Sequence, residues 1–133
     1  MSAVDLLREH GRELSDATGV SVEIVPESGT NRVFVLLSNV GLPLGAFIVD
    51  RSNALFITDQ MYPLSAMDMF WTEVGVLRAD GSVPQGAESV EQYLGRPWRR
   101  FSWHRNGIWN PKGNPLLDHF AFMEARLAKE ARP

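Results

Sequence analysis

Four short β-rich segments between residues 20 and 58 limit what this chain can fold into. In the first, Val20, Val22 and Ile24 alternate with polar residues, as in a strand that has one solvent-facing side. Turn-forming residues such as Pro26 and Gly29 separate the segments. The predicted strands are 20–24, 33–37, 46–49 and 55–58. Strands this short and this close in sequence favour a four-stranded antiparallel meander.

Both ends of the chain are predicted to be helical. Ser2 followed by Asp5 has the spacing of a capping box, and Gly19 is a suitable C-terminal stop. Asn114-Pro115 is a strong helix start, because Asn caps well and Pro fits the first turn. The second helix has an apolar face formed by Leu116, Phe120, Met123 and Leu127. A helix, a meander and a second helix predict one α+β domain over residues 1–133.

The region between the meander and the second helix carries weaker signals. Tyr62-Pro63 opens an irregular segment, because proline is disfavoured in a central strand. We call residues 62–71 the flap. Trp71 to Leu77 predicts a further strand, and Glu88 to Leu94 a short helix ended by Gly95.

The overall charge disfavours general nucleic-acid binding, which usually needs a basic surface. Lys and Arg together number 13 against 16 Asp and Glu, which gives a net charge of -3. The N-terminus lacks a charged region followed by an apolar stretch, and no apolar run approaches membrane-spanning length. A cytoplasmic protein without membrane contact is therefore the expectation.

The absence of cysteine excludes disulfides, thiolate metal sites and thiol catalysis within these residues. His10, His104 and His119 lack the spacing that places two metal ligands on one helix face. His10 and His119 are expected to be surface or capping residues. The GLPLG stretch at 41–45 lacks the Lys-Ser/Thr of a phosphate loop, so it predicts a hairpin connection. We expect neither a metal nor a cofactor.

The stretch FSWHRNGIWNP, residues 101–111, contains a candidate reactive pair. In an extended chain Ser102 and His104 project to the same side, as a nucleophile and its base would. Such a pair also needs a group that orients the histidine, for which Asp118 and Glu88 are candidates. The competing interpretation is that both residues are structural, which is more common for a lone Ser-x-His.

Arginines and aromatic rings alternate from residue 96 to residue 105. The set is Arg96, Trp98, Arg99, Arg100, Phe101, Trp103 and Arg105. Such residues suit a single-stranded nucleic acid, whose bases stack, or a carboxylate-bearing protein, which guanidinium binds bidentately. Alternatively, the rings belong to the core and the arginines are solvated neighbours. The acidic net charge favours a protein partner.

The flap combines aromatic rings with two methionines, Met67 and Met69. Methionine is an adaptable contact residue where it is exposed. We expect the rings to be buried and one methionine to be exposed.

Together the order of elements and the motifs resemble the ubiquitin-conjugating-enzyme superfamily. The closest resemblance is to its prokaryotic family E, a bacterial branch seen beside multi-ubiquitin-like proteins, and it covers nearly the whole chain. The residues that carry it are Tyr62-Pro63, Asp68-Met69-Phe70-Trp71, Trp98, Ser102, His104, Trp109 and Pro111.

The resemblance implies that Tyr62-Pro63 opens the flap and that Trp109 and Pro111 form the Trp-x-Pro segment before the next helix. It also implies that the active-site region, where ordinary members carry the thioester cysteine, falls near Phe101 and Ser102. This sequence has no cysteine there and lacks the usual His-Pro-Asn tripeptide. Three explanations follow: an inactive variant that binds partners, an oxyester enzyme using Ser102 and His104, or an engineered replacement of the cysteine.

The first explanation makes the least chemical demand, because a serine hydroxyl is far less acidic than a thiol. It predicts a partner that is a ubiquitin-like protein, or an activating or peptidase-like component of the same system. The flap, with Met67 and Met69, and the 96–109 loop would contact this partner. The loop would contribute Arg96, Arg99, Arg100, Trp103 and Arg105.

Overall fold

Two helices and six strands form the fold in the computed structural model, which describes residues 2–105 and 107–130. They are α1 (Ala3–Thr18), β1 (Ser21–Pro26), β2 (Arg32–Gly41), β3 (Arg51–Asp59), β4 (Phe70–Thr72), β5 (Val90–Tyr93), β6 (Arg96–Phe101) and α2 (Pro115–Glu130). Met1, Asn106 and residues 131–133, which the single-domain prediction includes, lie outside the described residues.

The predicted helix boundaries are confirmed by their caps. The backbone N–H of Asp5 donates to Ser2 Oγ at 3.1 Å, and Gly19 ends α1 in the left-handed conformation at φ 80°. The backbone N–H of Leu117 donates to Asn114 Oδ1 at 2.9 Å, which makes Asn114 the cap of α2. Each cap satisfies a backbone group that the first or last turn leaves unpaired.

The six strands form one antiparallel sheet in the order β1-β2-β3-β4-β6-β5. The first three strands are a meander, as predicted. Side chains that alternate along these strands divide between the two faces of the sheet. On β2, Val33 and Val35 pack in one cluster with residues of α1 and α2, whereas Phe34 belongs to a second cluster.

The second cluster has Phe34, Leu55, Trp71 and Trp98 at its centre. Among the described residues, none from α1 or α2 belongs to it. We call this side of the sheet the helix-free face. Strand side chains and Met69 of the flap cover it, whereas the described residues of the two helices pack on the opposite face.

The sheet has six strands rather than four, which corrects the prediction in two places. Residues 46–49 are irregular, with one isolated bridge between Phe47 and Arg78; Phe47 packs in the core instead of joining the meander. Glu88 to Leu94 is not a helix but contains β5, which turns through Leu94 and Gly95 at positive φ and pairs with β6. The hairpin pairing satisfies the backbone groups that a helix would have satisfied.

Two further segments differ from their predictions. The strand predicted over 71–77 is the short β4, which pairs with β3 and β6. The predicted 96–109 loop begins as β6 and leaves the sheet only after Phe101. This matters because strand geometry sends neighbouring arginines of that segment to different faces.

Residues 60–69 connect β3 to β4 without regular structure, and the Tyr62–Pro63 peptide bond is cis. The Tyr62 hydroxyl donates to His10 Nδ1 at 2.7 Å and accepts from the backbone N–H of Leu116 at 3.2 Å. It therefore joins α1 to α2. His10 is buried at this contact, which corrects the prediction that it is a surface or capping residue. Burial lowers the pKa of His10 and raises the pKa of Tyr62.

Neither of the helices that the structure describes is long and apolar enough to cross a membrane.

Candidate functional site

Ser102 lies directly after β6, where the chain leaves the sheet. Its backbone N–H donates to Gly86 O at 2.9 Å, and its Oγ accepts from Arg100 Nε, also at 2.9 Å. Arg100 in turn donates through Nη1 to Glu91 Oε2 at 2.9 Å. The hydroxyl is therefore held by a guanidinium group that is itself paired with a carboxylate.

His104 is paired with Asp68 of the flap. The His104 Nδ1–H donates to Asp68 Oδ2, and the backbone N–H of Arg105 donates to Asp68 Oδ1 at 3.2 Å. Both side chains are accessible, with 67% of His104 and 50% of Asp68 exposed. A carboxylate on Nδ1 fixes the ring and its tautomer, which leaves Nε2 as the nitrogen that can accept a proton.

The residue that orients His104 is thus Asp68, and the candidates Asp118 and Glu88 were wrong. Glu88 instead accepts from the backbone N–H of Gly86 at 3.2 Å. Asp68 and His104 are 36 positions apart, and only the pairing of β4 with β6 brings them together. No local sequence signal marks such a pair.

Among the described residues, no hydrogen bond joins Ser102 to His104. The strand ends at Phe101, so the strict alternation expected over residues 101–104 does not continue to His104. The geometry therefore provides a histidine with an orienting carboxylate, but no nucleophile in contact with it.

The arginines predicted to form one binding surface are divided among several environments. Arg99 donates to Val74 O at 3.1 Å and to Ala87 O at 2.7 Å, which makes it a structural link between loops. Arg96 stacks on the Trp98 ring at 4.6 Å, on the helix-free face. Arg100 is paired with Glu91.

Arg105 lies elsewhere, over two aromatic rings next to α2. Its guanidinium carbon is 5.1 Å from the Trp109 ring centroid and 5.9 Å from that of Phe122. The guanidinium carbon of Arg126 lies 4.6 Å from the Trp103 ring. We call these five residues the Arg–aromatic cluster. Arg126 and Phe122 were not predicted as site residues, because nothing in their local sequence distinguishes them from the other residues of α2.

Two of the predicted flap residues are parts of the interior. Met67 is 2% exposed and packs in the core on the helix-bearing side. Its side chain is therefore not at the surface where a partner would contact it. Met69 is partly buried against the helix-free cluster, and its carbonyl oxygen accepts from His119 Nε2 at 2.9 Å. The expected division of the methionines, one inside and one outside, holds only in part.

His119 is fully buried on α2, which corrects the prediction that it is a surface or capping residue. Its ring packs against Phe56 and Phe122 at centroid distances of 4.6 and 5.4 Å. Burial lowers the pKa of His119 to about 4. Its Nδ1 is buried and has no hydrogen-bond partner within the described chain. The ring thus holds the end of the flap on α2 as a neutral imidazole.

The Trp-x-Pro segment is tied to the start of the flap. Trp109 Nε1 donates to Pro63 O at 2.7 Å. Pro111 is partly buried, two positions further on. The loop after β6 and the flap are therefore joined at two points, at Trp109 and at Asp68.

Across residues 2–105 and 107–130, no three His, Asp or Glu side chains lie close enough to hold a metal ion.

Comparison with known proteins gives one match. Searches of curated proteins and of solved structures each found no match. The family model described as Prokaryotic E2 family E matches residues 7–130, from α1 to the end of α2. Because this match spans most of the 133 residues, the chain belongs to prokaryotic E2 family E.

Proposed function

We propose that this chain is a cysteine-less ubiquitin-conjugating-enzyme-like protein that binds a partner in a bacterial ubiquitin-like modification system. The partner is a ubiquitin-like protein, or an activating or peptidase-like component. The observation that carries the proposal is the chemistry of the region where the family resemblance implies a thioester cysteine. Ser102 occupies it, and the sequence contains no cysteine.

The surroundings of Ser102 support binding rather than transfer. Its Oγ accepts from Arg100, and the base-like His104 is paired with Asp68 instead of Ser102. A serine hydroxyl needs an adjacent base to become nucleophilic. Without that contact, Ser102 is a structural residue of the loop.

Exposed apolar side chains lie on both loops of the proposed surface. Leu64 of the flap is 67% exposed, and Ile108 of the loop after β6 is 95% exposed. The bond from Trp109 to Pro63 brings the neighbours of these residues together. Exposed apolar side chains on two joined loops offer contacts to a protein partner.

The test is a calorimetric titration against each ubiquitin-like, activating and peptidase-like protein encoded beside the gene. Leu64→Asp and Ile108→Asp are expected to weaken binding at least about tenfold, because each buries a charge in an apolar contact. Val83→Asp is the matched control, since Val83 is 40% exposed on a different loop. Binding that is unchanged by both flap and loop variants would refute the proposed surface.

An acyl-transfer activity of Ser102 and His104 is a second candidate, favoured by one observation: Asp68 orients an exposed His104. It requires a covalent ester of Ser102 with the carboxyl end of a ubiquitin-like protein, formed with release of the group that activates that carboxyl. Hydroxylamine would cleave this ester. Its detection, and its loss in Ser102→Ala and in His104→Gln, would replace the binding proposal with an enzyme.

Nucleic-acid binding by the arginines and rings is the remaining alternative. Arg99 and Arg100 are already paired with protein groups, which removes two of the cations that it would use. Salt distinguishes the two kinds of binding. Binding to phosphates weakens steeply as the salt concentration rises, whereas an apolar protein interface changes little.

A further inference from the structure

Two arginines of the Arg–aromatic cluster differ from the paired arginines of the fold. Arg32, Arg78 and Arg100 each have a carboxylate partner, which is Glu27, Glu130 and Glu91 respectively. Within the described ranges, Arg105 and Arg126 form no salt bridge and their side chains form no hydrogen bond. Arg105 Nη1 and Arg126 Nε are buried and have no hydrogen-bond partner in the part of the chain that the structure describes.

The two guanidinium groups belong to one place. Phe122 and Arg126 are one turn apart on α2 and therefore lie on the same side of the helix. Phe122 supports Arg105, and Trp103 supports Arg126. Both of these rings pack edge-on against Phe70, at 6.3 and 5.8 Å. The aromatic side chains thus form a continuous floor beneath two cations that have no hydrogen-bond or salt-bridge partner among the described side chains.

Stacking prepares each guanidinium group to bind an oxyanion. A ring beneath the flat face holds the group in position and leaves the N–H edge as its hydrogen-bonding side. Two such edges match the two oxygens of a carboxylate, which guanidinium binds bidentately. Binding such a ligand stabilises a partly buried cation without a counter-ion more than it stabilises a solvated cation.

We infer that Arg105 and Arg126 form the binding site for the C-terminal carboxylate of an extended peptide segment of the partner. This inference rests on the proposed function and assigns the partner's chain end to a specific pair of side chains. It also moves that role away from Arg96, Arg99 and Arg100.

Charge and apolar surroundings favour a chain end over a polyanion. Asp68 is half exposed beside Arg105, and the whole chain carries a net charge of -3. These negative charges repel a single carboxylate only once, whereas they repel a nucleic-acid backbone at many phosphates. Exposed Leu64 and Ile108 on the adjoining loops offer contacts for apolar side chains that precede the carboxylate.

The experiment compares two peptides that differ only at their ends. The probe is an N-acetylated hexapeptide of alternating alanine and leucine, with either a free C-terminal carboxylate or a C-terminal amide. Binding to the full chain is followed by the NMR shifts of the tryptophan indole N–H groups. The free acid is expected to bind at least about tenfold more tightly, the effect of one charge-assisted hydrogen bond or more.

The variants Arg105→Gln and Arg126→Gln are each expected to abolish the preference for the free acid. Arg96→Gln is the matched control, because Arg96 also stacks on a tryptophan and forms no hydrogen bond or salt bridge with any described residue, but lies on the helix-free face. It should leave the preference unchanged. Arg105→Lys and Arg126→Lys keep the charge and should each retain only part of the preference.

Three results would overturn the inference. The first is equal binding of acid and amide, or no binding of either up to the solubility limit. The second is a loss of the preference for the free acid in Arg96→Gln that equals the loss in Arg105→Gln and Arg126→Gln. The third is displacement of the peptide by a single-stranded oligothymidylate with a steep salt dependence, which would make this a phosphate site.

The failure of this inference is distinguishable from failure of the proposed function. A partner that binds equally well with an amidated C-terminus would refute the carboxylate site and keep the protein-binding proposal. A chain that prefers the free-acid peptide, yet binds no component of the modification system, would keep the site and refute the function.

Discussion

The buried His119 makes the stability of this protein depend on pH between neutrality and pH 4. Burial lowers its pKa from 6.5 in the unfolded chain to about 4 in the fold. The folded state therefore binds fewer protons than the unfolded state in this range. The stabilisation is fully present above pH 6.5 and is lost as the pH falls toward 4.

The magnitude follows from the size of the shift. Each pKa unit corresponds to about 1.4 kcal/mol, so the full loss is about 3 kcal/mol. About 2 kcal/mol of it falls between pH 7 and pH 5, where most carboxylates are still ionised in both states. His10, whose pKa burial also lowers, adds to the loss in the same direction.

The assay is urea unfolding followed by tryptophan fluorescence at pH 7, 6 and 5. His119→Gln keeps a donor for the Met69 carbonyl but cannot titrate, so its free energy of unfolding should vary about 2 kcal/mol less over this range. His104→Gln is the control, because it also removes one histidine but from an exposed position. A wild-type pH dependence in His119→Gln would refute the reasoning.

Three further substitutions test the packing of the fold, each by urea unfolding at pH 7. Tyr62→Phe should destabilise by about 1–3 kcal/mol, because it leaves the buried Leu116 N–H without its acceptor. Thr58→Val should be neutral or stabilising by up to about 1 kcal/mol, since Thr58 Oγ1 is buried without a partner among the described residues; marked destabilisation would show that the hydroxyl is satisfied. Ser2→Ala should cost about 1 kcal/mol by removing the cap of α1, and an unchanged midpoint would contradict that role.

The helix ends were predictable because their signals are local. A cap acts over three residues, so Ser2, Gly19 and Asn114 are sufficient to identify where α1 and α2 begin or end. The strand β5 was not predictable in this way. Its sequence fits a short helix, and its pairing with β6 across the Leu94-Gly95 turn decides in favour of a strand.

The candidate site was predicted by composition but not by arrangement. The tryptophans and arginines of residues 96–109 were recognised, yet strand alternation places Arg96 and Arg100 on the helix-free face, away from Arg105. The partners that matter most, Asp68 for His104 and Arg126 for Trp103, are distant in sequence. Single-sequence patterns carry no information on such contacts.

The contact between the two helices has a consequence for the order of events during synthesis. Asn114, which caps α2, also donates to His10 O at 3.2 Å and to Glu13 Oε1 at 2.9 Å on α1. Because α1 precedes α2 in the chain, it leaves the ribosome first of the two and lacks these bonds until α2 emerges. Until then one face of the sheet has no α2 to cover it, and the nascent chain depends on α1 alone to shield that apolar surface from other molecules.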